Sequence, residues 1–128
     1  MSSELIWNIV KKDNCYLRKQ KHGNKVFMFS ADPMNPKNIN SLRNLSLSQE
    51  RAMGVVLKGR KVFVATKSTK QPNKPCKYCN KFAVKKIANV EKVAKKYYPR
   101  AEKAVVLRCK KYMAANARHQ SAAAKSKQ

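Results

Sequence analysis

Cys76-Lys77-Tyr78-Cys79 is the stretch of this 128-residue chain whose spacing best matches a known site chemistry. Two cysteines two residues apart can supply half of a tetrahedral zinc site, and Cys15, Cys109, His22 or His119 could in principle complete it. No second CxxC and no Cys/His pair at zinc-finger spacing accompanies them, so the expectation is ordinary thiols and no metal or other cofactor. Redox chemistry of the thioredoxin type also lacks its strand-to-helix setting. The carboxylates Glu4, Asp13, Asp32, Glu50, Glu91 and Glu102 are scattered, with no pair at a spacing that fixes two of them on one helix face. Neither histidine has a nucleophile or acid beside it in sequence, and the three glycines build no phosphate-cradling loop. No catalytic residue is assigned, and no small-molecule substrate is expected.

What the side chains offer instead is charge. Thirty lysines and arginines face six acidic residues, a formal net charge of +24. Self-repulsion on that scale opposes a compact state unless a polyanion neutralises it, and the commonest cellular polyanion is nucleic acid. The excess is spread: residues 1–70 hold 14 basic and 4 acidic groups, residues 71–128 hold 16 and 2. Clusters mark the candidate contacts. They are Lys11, Lys12, Arg18, Lys19 and Lys21 near the start, then Arg43, then Lys58, Arg60 and Lys61 at a hairpin tip. Lys67, Lys70, Lys74, Lys77 and Lys81 follow along a proline-bearing segment, and Lys85, Arg100, Lys110 and Lys111 lie on basic helix faces. Tyr78 and Phe82, set among lysines, are candidates for stacking on an unpaired base. Only seven of the thirty cations are arginine. Lysine binds as a point charge rather than a planar fork, so backbone and shape recognition should outweigh base reading.

The elements that must carry these groups can be read from local pattern. Ser2 and Ser3 can cap a short helix with Leu5, Ile6, Ile9 and Val10 as its buried stripe, ended by Asp13-Asn14. Cys15–Leu17 and Val26–Phe29 flank Gly23-Asn24 as a hairpin, and Gly54–Leu57 and Val62–Ala65 flank Lys58-Gly59-Arg60 as a second. The four strands predict one small antiparallel sheet, with Trp7, Phe27, Phe29 and Phe63 in the core. Residues 30–50 read as a long irregular connection with little core of its own. Lys67 to Lys81 reads as a basic linker. Beyond it, Ala83, Ile87, Val90, Ala94 and Tyr97 follow helical spacing, opposite Lys81, Lys85, Lys92 and Lys96. Pro99 starts a further helix, on which Ala101, Val105, Cys109, Tyr112 and Met113 share the apolar face. The class is therefore α+β: a short N-terminal helix and antiparallel sheet over 1–68, then a basic linker and two amphipathic helices with a fraying tail over 69–128. With 43% hydrophobic residues the chain can bury a modest core. Its apolar runs fall far below the roughly 20 residues of a membrane span. Four cysteines without a secretory pattern suggest a reducing compartment.

Leu5-Ile6-Trp7, Asn14–Leu17, Phe29–Asn35, Asn40–Arg43 and Val62–Lys67, in that order along the chain, together resemble segments of the L28e family of eukaryotic large-subunit ribosomal proteins. Leu5-Ile6-Trp7 followed by Asn14-Cys15-Tyr16-Leu17 is similar to that family's opening helix and strand. Phe29-Ser30-Ala31-Asp32-Pro33-Met34-Asn35 is similar to its Phe-Ser-x-Glu/Asp-Pro-x-Asn loop. Asn40-Ser41-Leu42-Arg43 and Val62–Lys67 resemble two further segments, so the likeness covers roughly residues 4–70. Asn44-Leu45-Ser46 departs from the usual tyrosine and glycine, and the Cys76–Cys79 pair is foreign to the pattern. The resemblance implies a non-catalytic constituent of the cytosolic large subunit, assembled in the nucleolus. Its partners would be large-subunit rRNA, expansion segments included, and neighbouring large-subunit proteins. A ribosome-biogenesis factor on pre-rRNA, or a basic chromatin or DNA-binding protein, are the alternatives that composition leaves open.

Overall fold

The computed structural model describes residues 2–70 and 79–126. Helix α1 spans Ser3–Val10, with Ser2 extended at its N-cap and Glu4 in the first turn, where an anion suits the helix dipole. Asn14 closes the other end by donating its side-chain amide to the Val10 carbonyl. No residue of α1 is buried; Leu5 is 51% and Ile9 68% exposed. The expected burial of this stripe is thus corrected. The helix is held near its end by Asn40, whose amide donates to the Lys11 carbonyl, and its outer apolar residues face solvent.

Strands β1 (Leu17–His22) and β2 (Lys25–Ser30) pair antiparallel, as do β3 (Met53–Lys58) and β4 (Lys61–Lys67). Each hairpin turns on two residues, Gly23-Asn24 and Gly59-Arg60, with the glycine at φ 59° and 61°. A left-handed first position followed by an ordinary second one gives a turn whose twist matches the strands.

The expected single four-stranded sheet is instead two sheets: β1–β2, and a three-stranded sheet ordered β3-β4-β5. Strand β5 (Cys79–Ala83) pairs along the free edge of β4, where a linker was expected to run on to Lys81. Ala83 accordingly ends a strand, and helix α2 begins later, over Ile87–Tyr97. The apolar spacing that suggested one continuous helix joins two elements packed on the same core.

Pro99 opens a 3-10 turn, Pro99–Ala101, that runs into helix α3 (Glu102–Lys125). The core lies between the inner face of the three-stranded sheet (Met53, Val55, Val62, Val64) and both helices (Val90, Ala94, Val105, Val106, Cys109). Phe82, opposite Val64 on β5, packs against it. This cluster draws on residues from both sides of residue 68.

Residues 30–50 are irregular but closely packed, which corrects the expectation of little core there. Leu45 and Asn35 are fully buried. The buried Asp32 carboxylate accepts the Met34 N–H at 3.0 Å and the Ser46 N–H at 2.8 Å. Asn35 accepts from Lys37 N–H and donates to the Ile39 carbonyl. A loop can be buried only if its backbone groups find such partners. Gly54 seats this loop on β3: a Cβ there would stand 2.0 Å from the Pro33 carbonyl oxygen.

Candidate nucleic-acid interface

A cleft of about 350 Å³ opens between the 30–50 loop and the junction of α2 with α3. Lys37, Arg43, Arg51 and Arg100 line it, with no Asp or Glu among the lining residues. The loop supplies both Lys37 and Arg43, and two other stretches of chain supply the remaining cations. Arg43 sits in the loop, and the Tyr98 hydroxyl donates to its carbonyl at 3.2 Å. Arg51 lies two residues before Met53, the first residue of β3, and Arg100 is set by the turn that Pro99 starts. Three of the seven arginines therefore converge on one concavity. Exposed guanidinium forks without competing carboxylates suit the paired oxygens of a phosphate. Sequence reasoning singled out Arg43 and Arg100 separately and missed Lys37 and Arg51. The scarcity of arginine in a lysine-rich chain was the signal available.

The other candidates are dispersed over the surface. Lys58, Arg60 and Lys61 project at the tip of the second hairpin, which Asn116 of α3 fastens by donating to the Arg60 carbonyl. Lys12, Arg18, Lys19, Lys21, Lys70, Lys81, Lys85, Lys110 and Lys111 are exposed, and half-buried Lys11 donates to the side chain of Asn8. On α2 and α3, Lys92, Lys96 and Lys103 face outward, opposite the core. Among the described residues one ion pair forms, Lys95–Glu102 at 3.7 Å. The acidic residues thus leave most of the positive surface without a partner.

Two cations serve the fold. Lys67 is buried at the end of β4, where its ammonium donates to the Ser46 and Gln49 carbonyls at 2.8 and 2.6 Å. Burial lowers its pKa, an effect that the nearby Asp32 and Glu50 charges oppose. Arg108 of α3 reaches the 30–50 loop and donates from Nη1 to Asn35 O, Pro36 O and Asn38 Oδ1, at 3.0–3.1 Å. Its Nε–H goes to the Tyr112 hydroxyl.

The stacking candidates are redistributed as well. Phe82 is turned to the core, whereas Phe27 and Phe29, expected inside, are exposed on β2. Lys74, Lys77, Tyr78 and Cys76 lie outside the described residues. Cys15 is exposed and Cys109 buried, and among the described residues no group of three His, Cys, Asp or Glu could hold a metal ion.

Compared with known proteins, residues 5–126 match the model of the ribosomal L28e protein family. The chain belongs to that family. It is a family of ribosomal proteins and not of enzymes. Among L28e relatives, large ribosomal subunit protein eL28 of Dictyostelium discoideum is 38% identical over 71 residues, covering 56% of this chain and 51% of that protein. Large ribosomal subunit protein eL28 of Caenorhabditis elegans is 30% identical over 97 residues, 74% of each chain. The match extends well past the segment in which the likeness is visible by eye. In this L28e chain the Asp32 and Asn35 side chains of the Phe29–Asn35 segment are committed to the loop's internal bonds.

Proposed function

We infer that this chain is a structural constituent of the cytosolic large ribosomal subunit that stabilises rRNA through contacts to its phosphate backbone. Membership of a ribosomal-protein family carries the reading, supported by a positive surface that the chain's own acids leave unpaired. The cleft formed by Arg43, Arg51 and Arg100, the second hairpin tip and the outer faces of α2 and α3 supply the contacts. Residues 1–68 supply Arg43, Arg51 and the second hairpin tip, and residues 69–128 supply Arg100 and the basic outer faces of α2 and α3 laid on RNA. Where RNA helices approach one another, these cations displace condensed counterions and offset phosphate repulsion. The partners are large-subunit rRNA, expansion segments included, and neighbouring subunit proteins. Assembly begins in the nucleolus, and the chain then resides on cytoplasmic ribosomes.

Sucrose-gradient fractionation with a high-salt wash tests this directly. The chain should stay with large subunits and polysomes through the wash. Restriction to nuclear pre-ribosomes would point to a biogenesis factor, and absence from both to chromatin. In vitro, engagement of about ten phosphates gives a slope of log affinity against log salt of roughly −7 to −9. Replacing Arg43, Arg51 and Arg100 with glutamine should flatten that slope by about 2–3.

A further inference from the structure

The first hairpin is the part of the molecule that its own packing explains least. Side chains directly opposite across an antiparallel pair share a face, and so do alternate residues of one strand. The register Arg18↔Phe29, Gln20↔Phe27 and His22↔Lys25 therefore gathers Arg18, Gln20, His22, Lys25, Phe27 and Phe29 on one side. All six are exposed, the two rings by 46% and 40%. The ring centroids stand 6.5 Å apart with their planes 21° from parallel. Arg18 is braced at the base of the hairpin by bonds from Nη1 to the Cys15 and Leu17 carbonyls.

We propose that this face stacks unpaired RNA bases on Phe27 and Phe29 while Arg18 and Lys25 hold the adjoining phosphates. Aromatic planes flanked by cations, with no carboxylate among the six residues, form the combination that single-stranded nucleic acid recognises. An apolar protein surface laid over the same face would strip water from two cations and give them no counter-charge, which costs free energy. The opposite face, with Lys19, Lys21, Val26 and Met28, carries no ring. The proposal rests on the reading that the chain works on RNA, and adds to it a contact with bases rather than backbone.

The test uses the full chain and three probes: a short fluorescein-labelled oligouridylate, an abasic strand of the same length, and an RNA duplex. Wild type should prefer the oligouridylate over the abasic strand by about fivefold or more, the low end for base–aromatic stacking. The double variant Phe27→Leu/Phe29→Leu keeps apolar bulk and should lose that preference, with duplex binding and its salt dependence unchanged. Phe27→Tyr/Phe29→Tyr should restore the preference, and circular dichroism should show both variants folded. NMR should show the ring protons of Phe27 and Phe29 shifting on addition of oligouridylate and not of the abasic strand. Equal binding of base-bearing and abasic strands by wild type overturns the inference while leaving the phosphate-binding reading intact, and assigns the face to a protein neighbour. Failure of wild type to bind any of the three probes overturns both.

Discussion

Arg108 gives the sharpest test of the division between cations that hold the fold and cations left for a partner. Its Nη1 faces three acceptors in the 30–50 loop but has only two hydrogens, so one bond is shared; Nε–H makes a third full bond, to Tyr112. A hydrogen bond from a charged donor contributes about 1.5–3 kcal/mol net. The site is only half-buried, and bonds from one side chain do not add fully. Arg108→Met, which keeps the aliphatic stem and removes every donor, should then cost about 2–4 kcal/mol. Unfolding entropy near 2.1 cal/mol/K per residue converts this to a fall in Tm of roughly 7–15 °C for a chain of this length. Arg108→Lys retains a charge but not the fork, and should lose about half as much. Thermal and urea melts followed by circular dichroism measure both. Amide exchange should meanwhile accelerate around Lys37 and Asn38 before it does in β3 and β4. The salt slope of RNA binding, measured below the melting range, should not move. A Tm within about 2 °C of wild type, or a flattened salt slope, would refute the assignment.

Gly54→Ala places a Cβ 2.0 Å from the Pro33 carbonyl oxygen and 2.6 Å from the Met34 Cα, both main-chain atoms, so loop and strand must part. A loss of about 2–3 kcal/mol or more in urea unfolding is expected. Burial pushes the Cys109 thiol from the usual 9.0 up to about 11. Above pH 9 the unfolded chain releases this proton while the folded one keeps it, so stability falls between about pH 9 and 11, by at most about 2–3 kcal/mol. Tyr97, raised chiefly by burial, acts in the same direction from about pH 10, whereas Lys67, lowered by burial, opposes it. Comparing wild type with Cys109→Val isolates the thiol; parallel stability profiles across pH 9–11 would show that it contributes nothing.

Local pattern foretold what local forces decide. Both hairpins were legible from the glycine at the first turn position. The first strand of the first one, however, runs over Leu17–His22 up to the turn, not over Cys15–Leu17 as expected, because a two-residue turn at Gly23-Asn24 pairs the residues directly beside it. The inner faces of α2 and α3 were legible because Val90, Ala94, Val105 and Cys109 repeat at helical spacing. Long-range choices were hidden. Cys79–Ala83 becomes a strand because β4 presents a free edge, and its lysine-rich surroundings gave no sign of that. The stripe of α1 and the phenylalanines of β2 read as core because type and spacing report which residues can be buried, not whether a second layer arrives to bury them. The cleft escaped notice for a related reason. Lys37, Arg43, Arg51 and Arg100 are unremarkable singly, and only the packing of the 30–50 loop on β3 and α3 gathers them.

The open hairpin also bears on how a cell must supply this chain. A copy without its partner carries Val26 through Phe29 bare on a two-stranded ribbon, with Leu5 and Ile9 bare on α1, inside a cloud of positive charge. Such a surface adheres to stray nucleic acid and to exposed apolar segments of other chains alike. An orphan copy is therefore a natural client for chaperones and a natural target for degradation. Synthesis in excess of the available assembly positions should shorten its half-life rather than raise its standing level, so that abundance is set by the sites it fills.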